Sequence, residues 1–139
     1  MYSLDELKQQ NQDITDLCNV LSVLIEKSEL HSNPYVCDLI QRFKEKVWMH
    51  LVFEDNTIYA ALFRHSDDSI SNVAKAFHDS AREIKHRFSG YVKHWCKVAV
   101  SDAEHKALQE ESRDIFALIM ERVRYENEYM FPLVEKHCQ

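Results

Sequence analysis

Glycine and proline are nearly missing from this chain, which has one Gly, at position 90, and two Pro, at 34 and 132, among 139 residues. Tight turns and hairpins draw on those residues, so their scarcity argues against a β-rich fold and for long helices joined by short connections. Also absent is any apolar run of membrane-spanning length. Lys and Arg number 17 against 23 Asp and Glu, for a formal net charge of −6. With no basic patch to track phosphates, neither nucleic acid nor membrane is an expected partner. The first residues, Met-Tyr-Ser-Leu-Asp-Glu-Leu, are acidic and amphipathic where a secretory signal is basic and then apolar, so a cytoplasmic protein is expected. Cys18, Cys37, Cys96 and Cys138 form no C-x-x-C pair. That argues against a zinc ribbon or a disulfide framework, and reduced thiols are expected, with Cys18 on a core stripe and Cys138 exposed.

What is present is helical periodicity. Leu4, Leu7, Asn11, Ile14, Cys18, Leu21 and Ile25 recur at steps of three and four, with Asn11 the one polar interruption. Ser32-Asn33-Pro34 combines cap residues with a proline suited to a first helical position, so a second helix is expected from about residue 34 to Arg64. Its stripe reads Val36, Ile40, Phe43, Val47, His50, Glu54, Ile58 and Ala61. A third stripe runs through Ile70, Val73, Phe77, Ala81, Ile84, Phe88, Tyr91 and Trp95, with Gly90 expected to mark a kink or a close packing contact. The fourth shows Leu108, Ile115, Ile119, Arg122, Glu126, Met130 and Leu133, with Pro132 expected to loosen its last turn. The length suits one domain over residues 1–139, an all-α, antiparallel up-down-up-down four-helix bundle.

Two of these stripes carry ionisable groups where apolar ones are due. His50-x-x-x-Glu54-Asp55 on the second helix lies over Arg122-x-x-x-Glu126-Asn127 on the fourth with no gap, through Tyr59 and Phe131, which suggests two helical hairpins related by a pseudo-twofold axis. A bundle would bring Asn11, His50, Glu54, Arg122 and Glu126 to similar depth, and His78, beside the third stripe, could join them. A buried carboxylate costs several kcal/mol, roughly, unless a metal, a proton or a cation compensates it.

These residues resemble the hemerythrin-like family (HHE cation-binding domains), whose four-helix bundles hold non-haem iron between the helices. Leu7-Lys-Gln-Gln-Asn11-Gln-Asp-Ile14 is similar to the family's first-helix Q-H-x-x-I motif. His50-Leu-Val-Phe-Glu54-Asp55-Asn-Thr-Ile-Tyr59 is similar to its H-x-x-x-E-E/D-x-x-L-Y/F-P, and Arg122 to Leu133 is similar to H-x-x-x-E-E-x-x-L-F-P. The resemblance implies His50, Glu54, His78 and Glu126 as metal ligands, and a metal ion or a small diatomic molecule as partner. Asn11 and Arg122 stand where two further ligand histidines belong. Arg122 offers only donors and a fixed positive charge, so it is expected beside the ligands or blocking the site.

Two readings follow. In one, His50, His78 and a glutamate hold iron, a mono-iron rather than a di-iron centre, in a protein of iron, oxygen or redox sensing that is not an enzyme. In the other, Arg122 pairs with Glu54 and Glu126 without metal, and the bundle regulates by binding another protein. Catalytic signatures such as G-x-S-x-G, a phosphate-binding glycine loop and H-E-x-x-H are absent. Glu83-Ile-Lys-His86 lacks the second copy that a ferritin-like di-iron site needs and is expected on a solvated face.

Overall fold

The computed structural model describes residues 4–27, 33–95 and 101–137. Its elements are α1 (Leu4–Leu24), α2 (Pro34–Glu54), a π-helical turn (Asp55–Tyr59), α3 (Ala60–Phe63), α4 (Asp68–Trp95), α5 (Asp102–Tyr125), a second π turn (Glu126–Met130) and α6 (Phe131–His137). Among the described residues there is no strand. α1 packs against α2 and α5, and α4 against α2 and α5, so the four long helices close into the expected bundle. None of the described helices is long and apolar enough to cross a membrane.

Local chemistry sets the helix starts. The Asn33 side chain accepts hydrogen bonds from the Tyr35 and Val36 amides at 2.9 and 3.4 Å, and Pro34 sits in the first turn, where no amide is needed. Ser101 caps α5 by accepting from the Glu104 amide at 3.2 Å. The second helix ends at Arg64 as expected, but as α2, a π turn and α3 in succession. Pro132 likewise follows a π turn as the second residue of α6, rather than merely loosening a terminal turn.

The two π turns fall at matching places in the two half-repeats, and the buried residues match as well. Val36, Phe43, Val47, His50, Leu51 and Glu54 on α2 correspond to Leu108, Ile115, Ile119, Arg122, Val123 and Glu126 at the end of the chain, every one buried. Ile58, Tyr59 and Leu62 then correspond to Met130, Phe131 and Val134, also buried. A π turn has more residues per turn than an α-helix, so the residue five past each glutamate returns to the inward face. This is why Tyr59 and Phe131 are core residues.

The apolar interior has two parts. The larger contains Ile14, Cys18, Leu21, Ile40, Phe43, Ile84, Phe88, Tyr91, Ile115, Phe116 and Ile119. At its centre Phe43 meets Phe116 edge to face, with centroids 5.5 Å apart, and Phe88 at 5.5 Å. The smaller holds Leu4, Leu7, Ile58, Tyr59, Leu62, Ile70, Met130 and Phe131 at the other end of the bundle.

Three expectations need correction. α4 continues through Gly90, and a Cβ there would meet nothing within 4 Å, so the glycine marks no close packing contact. Cys37 is disulfide-bonded rather than reduced, whereas Cys18 is the free, buried thiol that its stripe implied. Within the third stripe Val73 and Phe77 are only partly buried. Cys96, Cys138, the Trp95 side chain and the connection before residue 101 lie outside the described residues.

Gly90→Ala is expected to raise stability by about 1 kcal/mol, because the helix gains propensity and the added methyl meets no obstacle. Phe43→Ala should cost about 3–5 kcal/mol through loss of buried area and the cavity left behind. Urea unfolding of both variants with unchanged slope checks the pair; a neutral or destabilising alanine at 90 would contradict the open environment.

Candidate metal centre

The polar layer lies between the two apolar regions. Glu54, the last residue of α2, and Glu126, the first of the second π turn, are both 0% exposed, with His50 at 3% and Arg122 at 9%. The helical step of four that joins His50 to Glu54 joins Arg122 to Glu126 as well. Each half-repeat therefore contributes one nitrogenous group and one carboxylate.

The His50 ring bridges a polar side chain at the margin and the buried carboxylates. Its Nδ1 is 2.7 Å from Gln10 Oε1, an oxygen that accepts, so Nδ1 carries a hydrogen and donates. In the neutral imidazole that leaves the Nε2 lone pair facing Glu126 Oε1 at 3.0 Å and Glu54 Oε1 at 3.2 Å. Acceptors so converged need a proton or a cation among them.

Arg122 fills the other side. Its Nε donates to Glu126 Oε2 at 3.2 Å, and Nη1 donates to the Phe77 carbonyl at 3.0 Å and to Ser80 Oγ at 2.6 Å. Nη2 donates to the Tyr59 hydroxyl and lies 3.6 Å from Glu54 Oε1. The guanidinium also sits over the Phe77 ring, 4.9 Å from its centroid. All three nitrogens are thus engaged, and one side chain ties together α2, α4, α5 and the first π turn.

The two glutamates divide the ionisation. Burial, reinforced by the neighbouring Glu126 carboxylate, holds Glu54 well above the usual carboxylate range. Burial alone would raise Glu126 too, but hydrogen bonds with Glu54 and His50, and then the charges of His50 and Arg122, outweigh it and bring Glu126 down to about 2. Burial opposes the Arg122 charge, and Glu126 and Glu54 more than restore it. Burial, followed by the Glu54 charge, pushes the Tyr59 hydroxyl up, so it stays neutral. Without a metal, Arg122 is the fixed positive charge that offsets Glu126, while burial pushes Glu54 toward its protonated form.

The layer also suits a single cation. One ligand atom from each of His50, Glu54 and Glu126 lies within 4.8 Å of the others. Both Glu54 oxygens are buried and accept no well-formed hydrogen bond, so a cation or a proton would satisfy them. An imidazole with two carboxylates is a donor set for a divalent first-row metal. Arg122 and its contacts occupy the second half of the layer, and a guanidinium donates to no metal.

His78 does not join this group. Its Nδ1 lies 2.8 Å from Asp55 Oδ1, with the His78 side chain 31% exposed at the margin of the bundle. Asp55 opens the first π turn, and it draws the histidine outward to a partner of its own. Asn11 is buried as expected, donating to Asn127 Oδ1 at 3.3 Å. Gln10, Tyr59, Ser80 and the Phe77 carbonyl were not singled out by the sequence reading. Gln10 and Tyr59 both lie inside the quoted motifs, which was the available signal; for Ser80 and the Phe77 carbonyl there was none. Glu83 and His86 are exposed, as expected for a solvated face.

An antiparallel bundle with a histidine and carboxylate layer between its helices defines a class of helical cation-binding domains. The chain belongs to the hemerythrin HHE cation-binding domain family, which it matches over residues 3–134. No curated protein and no solved structure matches it.

The unequal glutamates predict opposite pH limbs for the metal-free protein. Glu54, raised in the fold, contributes stability that is complete below its unfolded value of about 4.3 and is lost as pH rises toward its folded value. Glu126, lowered in the fold, contributes stability present above about 4.3 and lost as pH falls toward 2. Glu54→Gln should therefore stabilise the metal-free protein at neutral and higher pH. Glu126→Gln should cost about 3–5 kcal/mol, since it strands a buried guanidinium. Chemical denaturation from pH 3 to 9 in chelator reads both; equal effects of the two substitutions would contradict the division of roles.

Proposed function

We propose that this domain binds one divalent metal ion, iron, through His50 Nε2, Glu54 and Glu126, and that it serves in iron, oxygen or redox sensing rather than in catalytic turnover. The observation that carries the reading is the convergence of three ligand atoms within 4.8 Å in a dry layer, with Gln10 holding the far side of the imidazole. A ligand histidine whose other nitrogen is fixed by an oxygen acceptor has its tautomer and ring orientation set in advance. An Fe(II) held by three protein groups keeps open positions for a small diatomic ligand, which is the chemistry that sensing would use.

Entry of the ion exchanges it for a proton. Burial holds Glu54 toward its protonated form, so a metal must displace that proton to gain the carboxylate as a ligand, and binding weakens as pH falls. Arg122 keeps the site to one metal, because its nitrogens and its charge stand where a second ion would lie.

One observation favours a second reading, a metal-free regulatory module that binds another protein. Every nitrogen of Arg122 already has a partner, so the layer is complete with a single shared proton.

The deciding measurement uses protein purified without an affinity tag, stripped with chelator and reloaded anaerobically with Fe(II). Wild type should retain about one iron per chain, unfold at a higher temperature when loaded, and release a proton on loading. His50→Ala and Glu54→Ala should retain none, and Arg122→His should raise occupancy above wild type. Iron content in wild type no greater than in the two alanine variants would leave the metal-free reading standing.

A further inference from the structure

A second candidate site lies outside the polar layer, in a cleft of about 410 Å³ between α4 and α5. Val73, Ala76, Phe77, Ser80, Glu83 and Ile84 recur at steps of three and four along α4, and Leu118, Glu121, Arg122 and Tyr125 do so along α5, so one stripe of each helix faces the other across it. The volume falls within the range of small-molecule sites.

The chemistry of the lining is selective. Val73, Ala76, Ile84 and Leu118 supply apolar wall, and the Phe77 and Tyr125 rings, with centroids 4.9 Å apart, line it as well. The two carboxylates, Glu83 and Glu121, are exposed and make no ion pair or hydrogen bond among the described residues. The cation present, Arg122, is occupied by Glu126, Phe77, Ser80 and Tyr59 and has nothing left to offer an anion. Acidic groups without cationic partners, the exposed Tyr125 ring and an apolar wall together favour a cation with an apolar body, the Phe77 ring being already covered on one side by Arg122.

We propose that the cleft between α4 and α5 binds a small organic monocation, an arylalkyl- or alkylammonium. Its ammonium head lies toward Glu83 and Glu121, and its apolar body lies against Leu118, Ile84 and the Phe77 and Tyr125 rings. The site shares Arg122 with the polar layer but takes nothing from His50, Glu54 or Glu126, so it stands whether or not metal binds there.

The test is a titration of the chelator-treated chain with 2-phenylethylammonium, 2-phenylethanol and 3-phenylpropanoate, followed by amide chemical shifts and calorimetry. The amine should saturate, with shifts centred on Val73 to Ile84 and Leu118 to Tyr125, and should bind at least about fivefold more tightly than the alcohol. The carboxylate should bind more weakly than either. Glu83→Gln and Glu121→Gln, both at exposed positions, should each weaken the amine by about two- to fivefold and leave the alcohol unchanged. Ala76→Trp, which fills the cleft from an exposed position, should abolish binding of both with the fold intact by circular dichroism. Equal affinity of amine and alcohol, indifference to the two glutamine variants, or shifts elsewhere on the bundle would overturn the proposal. So would self-association of the chain through this face in place of amine binding.

Discussion

Burial of two carboxylates against one guanidinium is the constraint around which the bundle is organised. Glu54 and Glu126 are both removed from water, and Arg122 reaches them while bonding the Phe77 carbonyl, Ser80 and Tyr59. Replacing buried ion pairs with apolar groups of the same volume is often neutral or stabilising, because desolvating ions costs about as much as their attraction returns. What the ionic layer adds is position. A guanidinium that must meet α2, α4 and the first π turn at once allows little sliding of α5 past its neighbours, so the helices are held in register where the functional groups converge.

The half-repeat sets that layer in one architecture used twice. Every buried position from Val36 to Leu62 quoted above has a buried counterpart from Leu108 to Val134, including the π turns that follow the glutamates. Against this shared frame the chemical differences are few: an imidazole at 50 against a guanidinium at 122, Asp55 against Asn127, and Tyr59, whose hydroxyl accepts from Arg122, against Phe131. The imidazole can accept a metal and the guanidinium cannot, so the first of these differences breaks the symmetry of the site.

The helices, their order and the inward direction of Asn11, His50, Glu54, Arg122 and Glu126 were legible in the sequence because a period of 3.6 governs them all. A π turn shifts the phase of a helix without changing composition, so the pairing of Asp55 with His78 was hidden in the sequence pattern. Gln10 is half-buried, one residue from the stripe centre marked by Asn11, and its importance depends on a contact to a helix 40 residues away. The disulfide at Cys37 is a matter of spatial proximity, which spacing cannot show, and the open surroundings of Gly90 are equally invisible in a linear pattern.

Charge balance explains why one arginine changes the character of the site so strongly. Two carboxylates and a divalent ion make a neutral layer, and so do one carboxylate, one protonated carboxyl and one guanidinium. Burial and the neighbouring Glu126 favour the second arrangement, since both raise Glu54. With Arg122 in place, a divalent ion leaves the layer with an excess positive charge in a low-dielectric interior even after Glu54 gives up its proton. Such a site binds more weakly than one of matched charge and is more sensitive to pH, and an ion that leaves finds the proton ready to replace it. These properties follow from the side chain at position 122 rather than from the fold.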